Sequence, residues 1–130
     1  MSKSSLIYAI DFGTSNSLLG AADVKKIHPL APLDPSAPEP EVLRSLMYFE
    51  PRSPALFGLD AVRRYTNNSM NGRFLRSFKR FLPMKSFENT LIDSKLWSLE
   101  ELIGRFLREM RERANAHYGN DVNAVVMGRP

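Results

Sequence analysis

The residues best suited to chemistry stand together near the start of the chain, in Asp11-Phe12-Gly13-Thr14-Ser15-Asn16. Gly13 permits a tight bend and a close approach of ligand to backbone. Successive amides in such a bend can point inward as an anion-binding nest. Thr14 and Ser15 add hydroxyls able to donate to phosphate oxygens. Asp11 would repel a bare phosphate, so its place beside the nest fits a magnesium ion lying between the two and held largely through water. The same residue types also fit a plain β-hairpin in which Asp11 and Thr14 only satisfy the turn, and residue types alone leave both readings open. No Walker A pattern occurs, which excludes a P-loop protein.

A second group of chemically capable residues is basic. Arg63, Arg64, Arg73, Arg76, Lys79, Arg80 and Lys85 follow one another with no acid between Ala61 and Phe87. Taken alone, Lys79 is a solvated residue of a basic surface stretch. Phe74, Phe78 and Phe81 lie among these cations, and aromatics among basic residues can bind single-stranded nucleic acid. Their spacings of four and three residues instead predict packing on a short helix. Nucleic acid is therefore not an expected partner. His28 and His117 are isolated, with no acid or second histidine in sequence to make a metal pair with either.

Several elements must position these groups. Leu6-Ile7-Tyr8-Ala9-Ile10 reads as a buried strand that delivers Asp11 to its carboxyl end. Residues 17–22 are apolar again, so the pair reads as a hairpin. Residues 24–28 predict a third short strand. Residues 29–40 hold five of the nine prolines, with a three-residue spacing that matches polyproline II. They predict a stiff surface loop, with a docking ligand for an SH3-like domain as the lesser reading. Leu46-Met47-Tyr48-Phe49 predicts a strand, residues 59–65 a short helix after Gly58, and residues 90–97 contain a weaker strand signal. Pro83 is expected to stop the segment that begins at Phe74.

The clearest helix spans residues 99–118. Ser98 is its N-cap, and Glu101 completes a capping box. Leu99, Leu102, Ile103, Phe106, Leu107, Met110 and Ala114 form one apolar stripe for the core. Glu101 with Arg105, and Glu109 with Arg113, are expected i,i+4 pairs on the wet face. Gly119 stands where a left-handed C-terminal cap belongs. Ala124-Val125-Val126-Met127 predicts a final buried strand, ended by Gly128-Arg129-Pro130. Such a strand calls for further elements to cover it, so the chain is expected to be a fragment.

The bulk properties set wider bounds. The 130 residues are 43% apolar and 25% charged, which fits one soluble globular domain. A net charge of +4 is mild and compatible with phosphate-bearing partners. With no cysteine there is no disulfide and no cysteine-based metal site, which fits a reducing cytoplasm. No stretch approaches a membrane span, and the start lacks the long apolar region of a secretory signal. A cytoplasmic protein is expected, with no membrane partner.

Asp-Phe-Gly-Thr-Ser-Asn-Ser after an apolar strand resembles the first phosphate motif of the actin, hexokinase and heat-shock chaperone superfamily. In the heat shock protein 70 family that motif reads Asp-Leu-Gly-Thr-Thr-x-Ser. The likeness continues in order along nearly the whole chain. Residues 45–49 resemble the family's Pro-Ser-x-Val-x-Phe strand, and Phe57-Gly58-Leu59-Asp60-Ala61 its Ile-Gly-x-x-Ala helix start. Residues 77–82 resemble its Lys-Arg-Leu-Ile segment, Ser98-Leu99-Glu100-Glu101-Leu102 its Pro-Glu-Glu helix start, and Asn123-Ala124-Val125-Val126 its Asn-Ala-Val-Ile strand. Met127-Gly128-Arg129-Pro130 in place of Thr-Val-Pro-Ala, Pro83 in place of glycine, and the proline-rich loop mark a divergent branch.

The resemblance implies an α/β fold of mixed α+β character, the N-terminal lobe of an actin-like, ribonuclease H-like ATPase. Residues 1–40 and 117–130 would form its core sheet, and 41–116 a smaller subdomain carrying Lys79. Gly13, Thr14, Ser15 and Asn16 would hold the phosphates of ATP or ADP, with the Thr14 hydroxyl on the γ-phosphate. Asp11 would orient hydrated magnesium. Lys79 matches the family's catalytic lysine, with Arg80 or Arg76 as stand-ins if the register is shifted. Unfolded client proteins and co-chaperones are implied partners, through regions outside these residues. The second phosphate loop and adenosine pocket are not among these residues, so the segment alone is expected to be inactive and to bind ATP weakly. The alternative is a non-enzymatic protein-interaction domain that keeps the actin-like fold.

Overall fold

The computed structural model describes residues 6–68, 71–81 and 89–127. The helix stop expected at Pro83 and the strand end expected at Gly128-Arg129-Pro130 lie outside them. Among the described residues the chain is a mixed α/β structure with two α-helices and three sheets.

The largest sheet is built on the hairpin of β1 (Ile7–Phe12) and β2 (Asn16–Ala22), which are antiparallel with Phe12 opposite Ser17. β3 (Ile27–His28) and β4 (Leu43–Arg44) pair with β2, and β10 (Val125–Met127) lies parallel to β1. A smaller sheet runs β6 (Leu56–Phe57), β5 (Leu46–Phe49), β7 (Arg73–Arg76). β8 (Asn89–Ile92) and β9 (Lys95–Ser98) form a separate hairpin. The helices are α1 (Gly58–Asn67) and α2 (Leu99–Tyr118).

Strand alternation explains how the large sheet packs. Tyr8, Ile10 and Phe12 of β1, and Ser17, Leu19 and Ala21 of β2, are buried. Their neighbours face the other way, as the two-residue period requires. α2 covers the buried face with Leu102, Phe106, Met110 and Ala114. The opposite face stays open, with Ile7 and Val126 exposed on it, and Val125 and Met127 on the helix side of β10 are exposed as well. This corrects two expectations. β1 is buried on one face only, and β10 is an exposed edge strand rather than a buried one, because a run of apolar residues records preference and not which side is covered.

α2 starts and ends as expected. Ser98 Oγ accepts the Glu101 N–H at 3.1 Å, Glu101 Oε1 accepts the Ser98 N–H at 2.9 Å, and Gly119 adopts φ 68°. Because Glu101 is occupied in the capping box, Arg105 pairs with Glu109 instead. Glu109 also takes Arg113, at 2.9 Å, and these side chains are partly buried rather than on a wet face. Tyr8 Oη donates to Asn115 Oδ1 at 2.7 Å, which ties the sheet to the helix.

The segment from Phe74 departs further from expectation. Phe74 lies on strand β7 and stacks on Tyr65, with ring centroids 4.7 Å apart. Phe78 opens a 3-10 turn (Phe78–Phe81). Between them Ser77 takes φ 53°, in the left-handed region, which breaks any continuous helix there. The three- and four-residue spacing therefore spans two elements.

The proline-rich loop is not an extended polyproline II strand. It folds back on itself, with the Asp34 N–H donating to Pro40 O and the Ala37 N–H to Asp34 O. Ala31, Leu33 and Asp34 are buried. Asp34 Oδ2 accepts the Leu59 N–H at 2.9 Å and so caps α1, whose own N-cap residue, Phe57, has no capping side chain.

The expected third strand is shorter than residues 24–28, because residues 23–26 form a turn closed by the Asp23 N–H on Lys26 O. His28 is not isolated: its Nε2 lies 3.2 Å from Asp23 Oδ2. Backbone N–H donation from Lys25, then His28, then the Lys26 N–H, holds the Asp23 carboxyl at about 2 against an ordinary 3.8. A depressed carboxyl pKa stabilises the fold above the unfolded value and loses that effect as pH falls through the folded one. The turn is therefore expected to hold from neutral pH down to about 3.8 and to weaken between there and about 2. Carboxyl-detected NMR titration of Asp23 checks this, and a midpoint at the ordinary value would contradict it.

Candidate functional site

The site grows from the register of β1 and β2. Their pairing ends at Phe12 opposite Ser17, and the Gly13 N–H donates to Asn16 O at 3.0 Å to close the bend. A Cβ on Gly13 would stand 2.4 Å from Asn16 O, so the turn itself excludes any side chain there. The glycine serves the bend, and its amide is spent inside it. Asn16 begins β2 and pairs with Arg44 of β4. Thr14 and Ser15 are exposed at the tip, and among the described residues no acceptor takes their amides. The tip amides left without an acceptor among the described residues are thus those of Thr14 and Ser15, a smaller set than the Gly13–Asn16 turn of the sequence reading.

Ser45 holds this tip in place. It is 2% exposed. Its N–H donates to Ser15 O at 2.9 Å, its Oγ donates to Gly13 O at 2.9 Å, and the Oγ lies 2.8 Å from Ser17 Oγ. Its carbonyl accepts the Ser77 N–H at 3.2 Å. One residue therefore joins the turn to the segment that carries Lys79. Sequence reasoning used Ser45 only as part of a strand. The signal for more was a serine at the head of the apolar run Leu46-Met47-Tyr48-Phe49, a polar group that burial obliges to find partners. Ser45→Ala leaves Gly13 O and Ser17 Oγ without a buried partner, and is expected to cost about 1–3 kcal/mol. Urea denaturation measures the loss, with faster amide exchange at residues 13–17 as its local signature.

Lys79 is partly buried on the 3-10 turn, and its Nζ lies 5.6 Å from the centroid of the Phe12 ring, next in sequence to Gly13. Phe78 anchors this turn in the core, 5.8 Å from Phe12 and 5.5 Å from Phe106 between ring centroids. Arg76 and Arg80 instead line a cleft with Ser15, so Lys79 is the cation set against the β1 end of the hairpin.

Asp11 is exposed on the open face of β1, paired with Leu18 of β2. Phe12 faces the core, so Asp11 and the Phe12 ring point to opposite faces. Among the described residues no group of three or more histidines, cysteines or carboxylates gathers to hold a metal. One carboxylate cannot cage magnesium. It fits an ion that keeps most of its waters and arrives with phosphates.

No helix among the described residues is long and apolar enough to cross a membrane. No protein-family model matches the chain, and no curated protein matches it.

Proposed function

We propose that this chain is the phosphate-gripping part of an ATPase of the heat shock protein 70 kind, on an actin-like fold, acting in the cytoplasm. The observation that carries this reading is the joint placement of two segments far apart in sequence. Ser45 ties the tip of the β1–β2 hairpin to Ser77, and Lys79, two residues further on, sets its ammonium beside Phe12. A plain hairpin needs no such cation.

In this reading the Thr14 and Ser15 amides and hydroxyls bind the β- and γ-phosphate oxygens, and the Gly13–Asn16 hydrogen bond keeps their geometry fixed. Asp11 would hold hydrated magnesium through water, and the ion would supply neutralisation of phosphate charge. The tip of a hairpin is where the two faces of a sheet meet. In this reading a phosphate group beyond it would be met by Asp11 from one face and by Lys79 from the other. Positioned charge of this kind accounts for most catalysis in phosphoryl transfer. A chaperone role, with unfolded proteins and co-chaperones as partners, belongs to the same proposal.

Titrating the chain with magnesium and ATP at millimolar concentration, followed by amide NMR, tests the binding step. The expected result is movement of the Thr14 and Ser15 amides, reduced in Asp11→Asn. Shifts confined to other parts of the chain would overturn the reading.

A further inference from the structure

Beside the hairpin tip lies a second feature that the nucleotide reading does not use. A polar cleft of about 310 Å³ is lined by Ser15, Arg44, Ser45, Arg76, Ser77 and Arg80. It shares Ser15 with the tip, and neither Asp11 nor Lys79 lines it.

Three strands and a strained turn build the cleft. Arg44 ends β4, and Leu46, two residues on, stands opposite Arg76 in the β5–β7 register. Arg44 and Arg76 thus come from strands of two different sheets, and both line the same cleft. Arg80 follows on the 3-10 turn, whose backbone is pinned by the Arg80 N–H on Ser77 O at 3.3 Å. Ser77, between Arg76 and the 3-10 turn, is held at φ 53°. A non-glycine residue in this region is costly and persists where surrounding structure enforces it, often at ligand sites. Among the described residues no carboxylate lines the cleft, and Arg44 and Arg76 form no ion pair.

The like charges of Arg44 and Arg76 repel one another where they line the same cleft, and an anion between them removes that cost. Guanidinium groups match the oxygens of phosphate with paired N–H donors, and serine hydroxyls complete such a shell. We infer that this cleft is a binding site for a phosphate-class oxyanion, beside the Thr14–Ser15 tip and sharing Ser15 with it. The volume admits inorganic phosphate or pyrophosphate. The same chemistry also fits the phosphate chain of a nucleotide. The inference does not depend on nucleotide hydrolysis.

The test is amide NMR of the chain at low ionic strength, titrated with inorganic phosphate and, separately, with sodium chloride of matched ionic strength. The expected result is movement of the Ser45 and Ser77 amides with phosphate and not with chloride. Arg44→Gln and Arg76→Gln should each weaken the response about tenfold, while Arg63→Gln on α1 leaves it unchanged. Both substituted side chains are exposed, so neither change threatens the fold, and the unsubstituted chain alone already decides the point. Adding magnesium and ATP to the phosphate-loaded chain identifies the source of the anion. Displacement of phosphate assigns the cleft to the nucleotide's own phosphate chain, and simultaneous binding assigns it to free phosphate. No response beyond that to chloride would overturn the inference. So would a response that survives both substitutions, or one given by a single-stranded oligonucleotide and not by phosphate. The nucleotide reading fails separately, if Thr14 ignores magnesium and ATP.

Discussion

Phe106→Ala is expected to remove about 3–5 kcal/mol of folding stability, a large share of the roughly 5–15 kcal/mol typical of a whole domain. Phe106 is fully buried on α2, and its ring centroid lies 5.6 Å from that of Phe12, 5.5 Å from Phe78 and 6.1 Å from Phe57. These partners come from β1, the 3-10 turn and β6, so one ring joins three parts of the chain. Removing it leaves a cavity that its neighbours can fill only by moving. Two of those neighbours set the candidate site, since Phe12 precedes Gly13 and Phe78 precedes Lys79. Urea denaturation should show the lost stability, and amide shifts in the surviving folded fraction should spread to residues 12–15 and 78–80. A loss below about 1 kcal/mol would mean that the aromatic cluster does not hold the site together.

Lys79→Ala is expected to do the reverse, with a large effect on chemistry and a small one on folding. On the proposed ATPase reading it should lower ATP turnover about 10²–10³-fold, the usual cost of removing one positioned group that stabilises transition-state charge. Folding should change by no more than about 1 kcal/mol, because the contact to lose is a cation over the Phe12 ring on a partly exposed side chain. Lys79→Arg should not restore activity, since a planar fork does not take the place of a compact ammonium. Phosphate release assays and thermal unfolding together separate the two effects. Unchanged turnover would remove Lys79 from the chemistry. Turnover absent from the unsubstituted protein as well, with partner binding intact, would favour the interaction-domain alternative.

What the sequence made legible was mostly local. Ser98, Glu101 and Gly119 announce both ends of α2 because a cap is decided within a turn of the helix. The β1–β2 hairpin and its tip are similarly contained in one short stretch. The misses share a physical cause, which is dependence on residues far away in the chain. Asp34 caps α1 from inside a loop that reads as mere proline spacing. Phe74 and Phe78 carry a helical spacing, but strand pairing with β5 and the left-handed Ser77 assign them to different elements. The bridge through Ser45 needs Ser15 and Ser77 at once, and no window of sequence contains all three. Glu101 is the local exception: it has two potential partners within four residues, and it takes the Ser98 backbone amide of the capping box rather than Arg105.

The most direct measurement is an experimental structure of the chain soaked with magnesium and a non-hydrolysable ATP analogue. A terminal phosphate oxygen is expected within about 3 Å of the Thr14 or Ser15 amide, with Lys79 Nζ turned toward the same phosphate and a hydrated magnesium beside Asp11. Nucleotide bound on the open face of the large sheet, or phosphates held with the Thr14 and Ser15 amides untouched, would contradict the account.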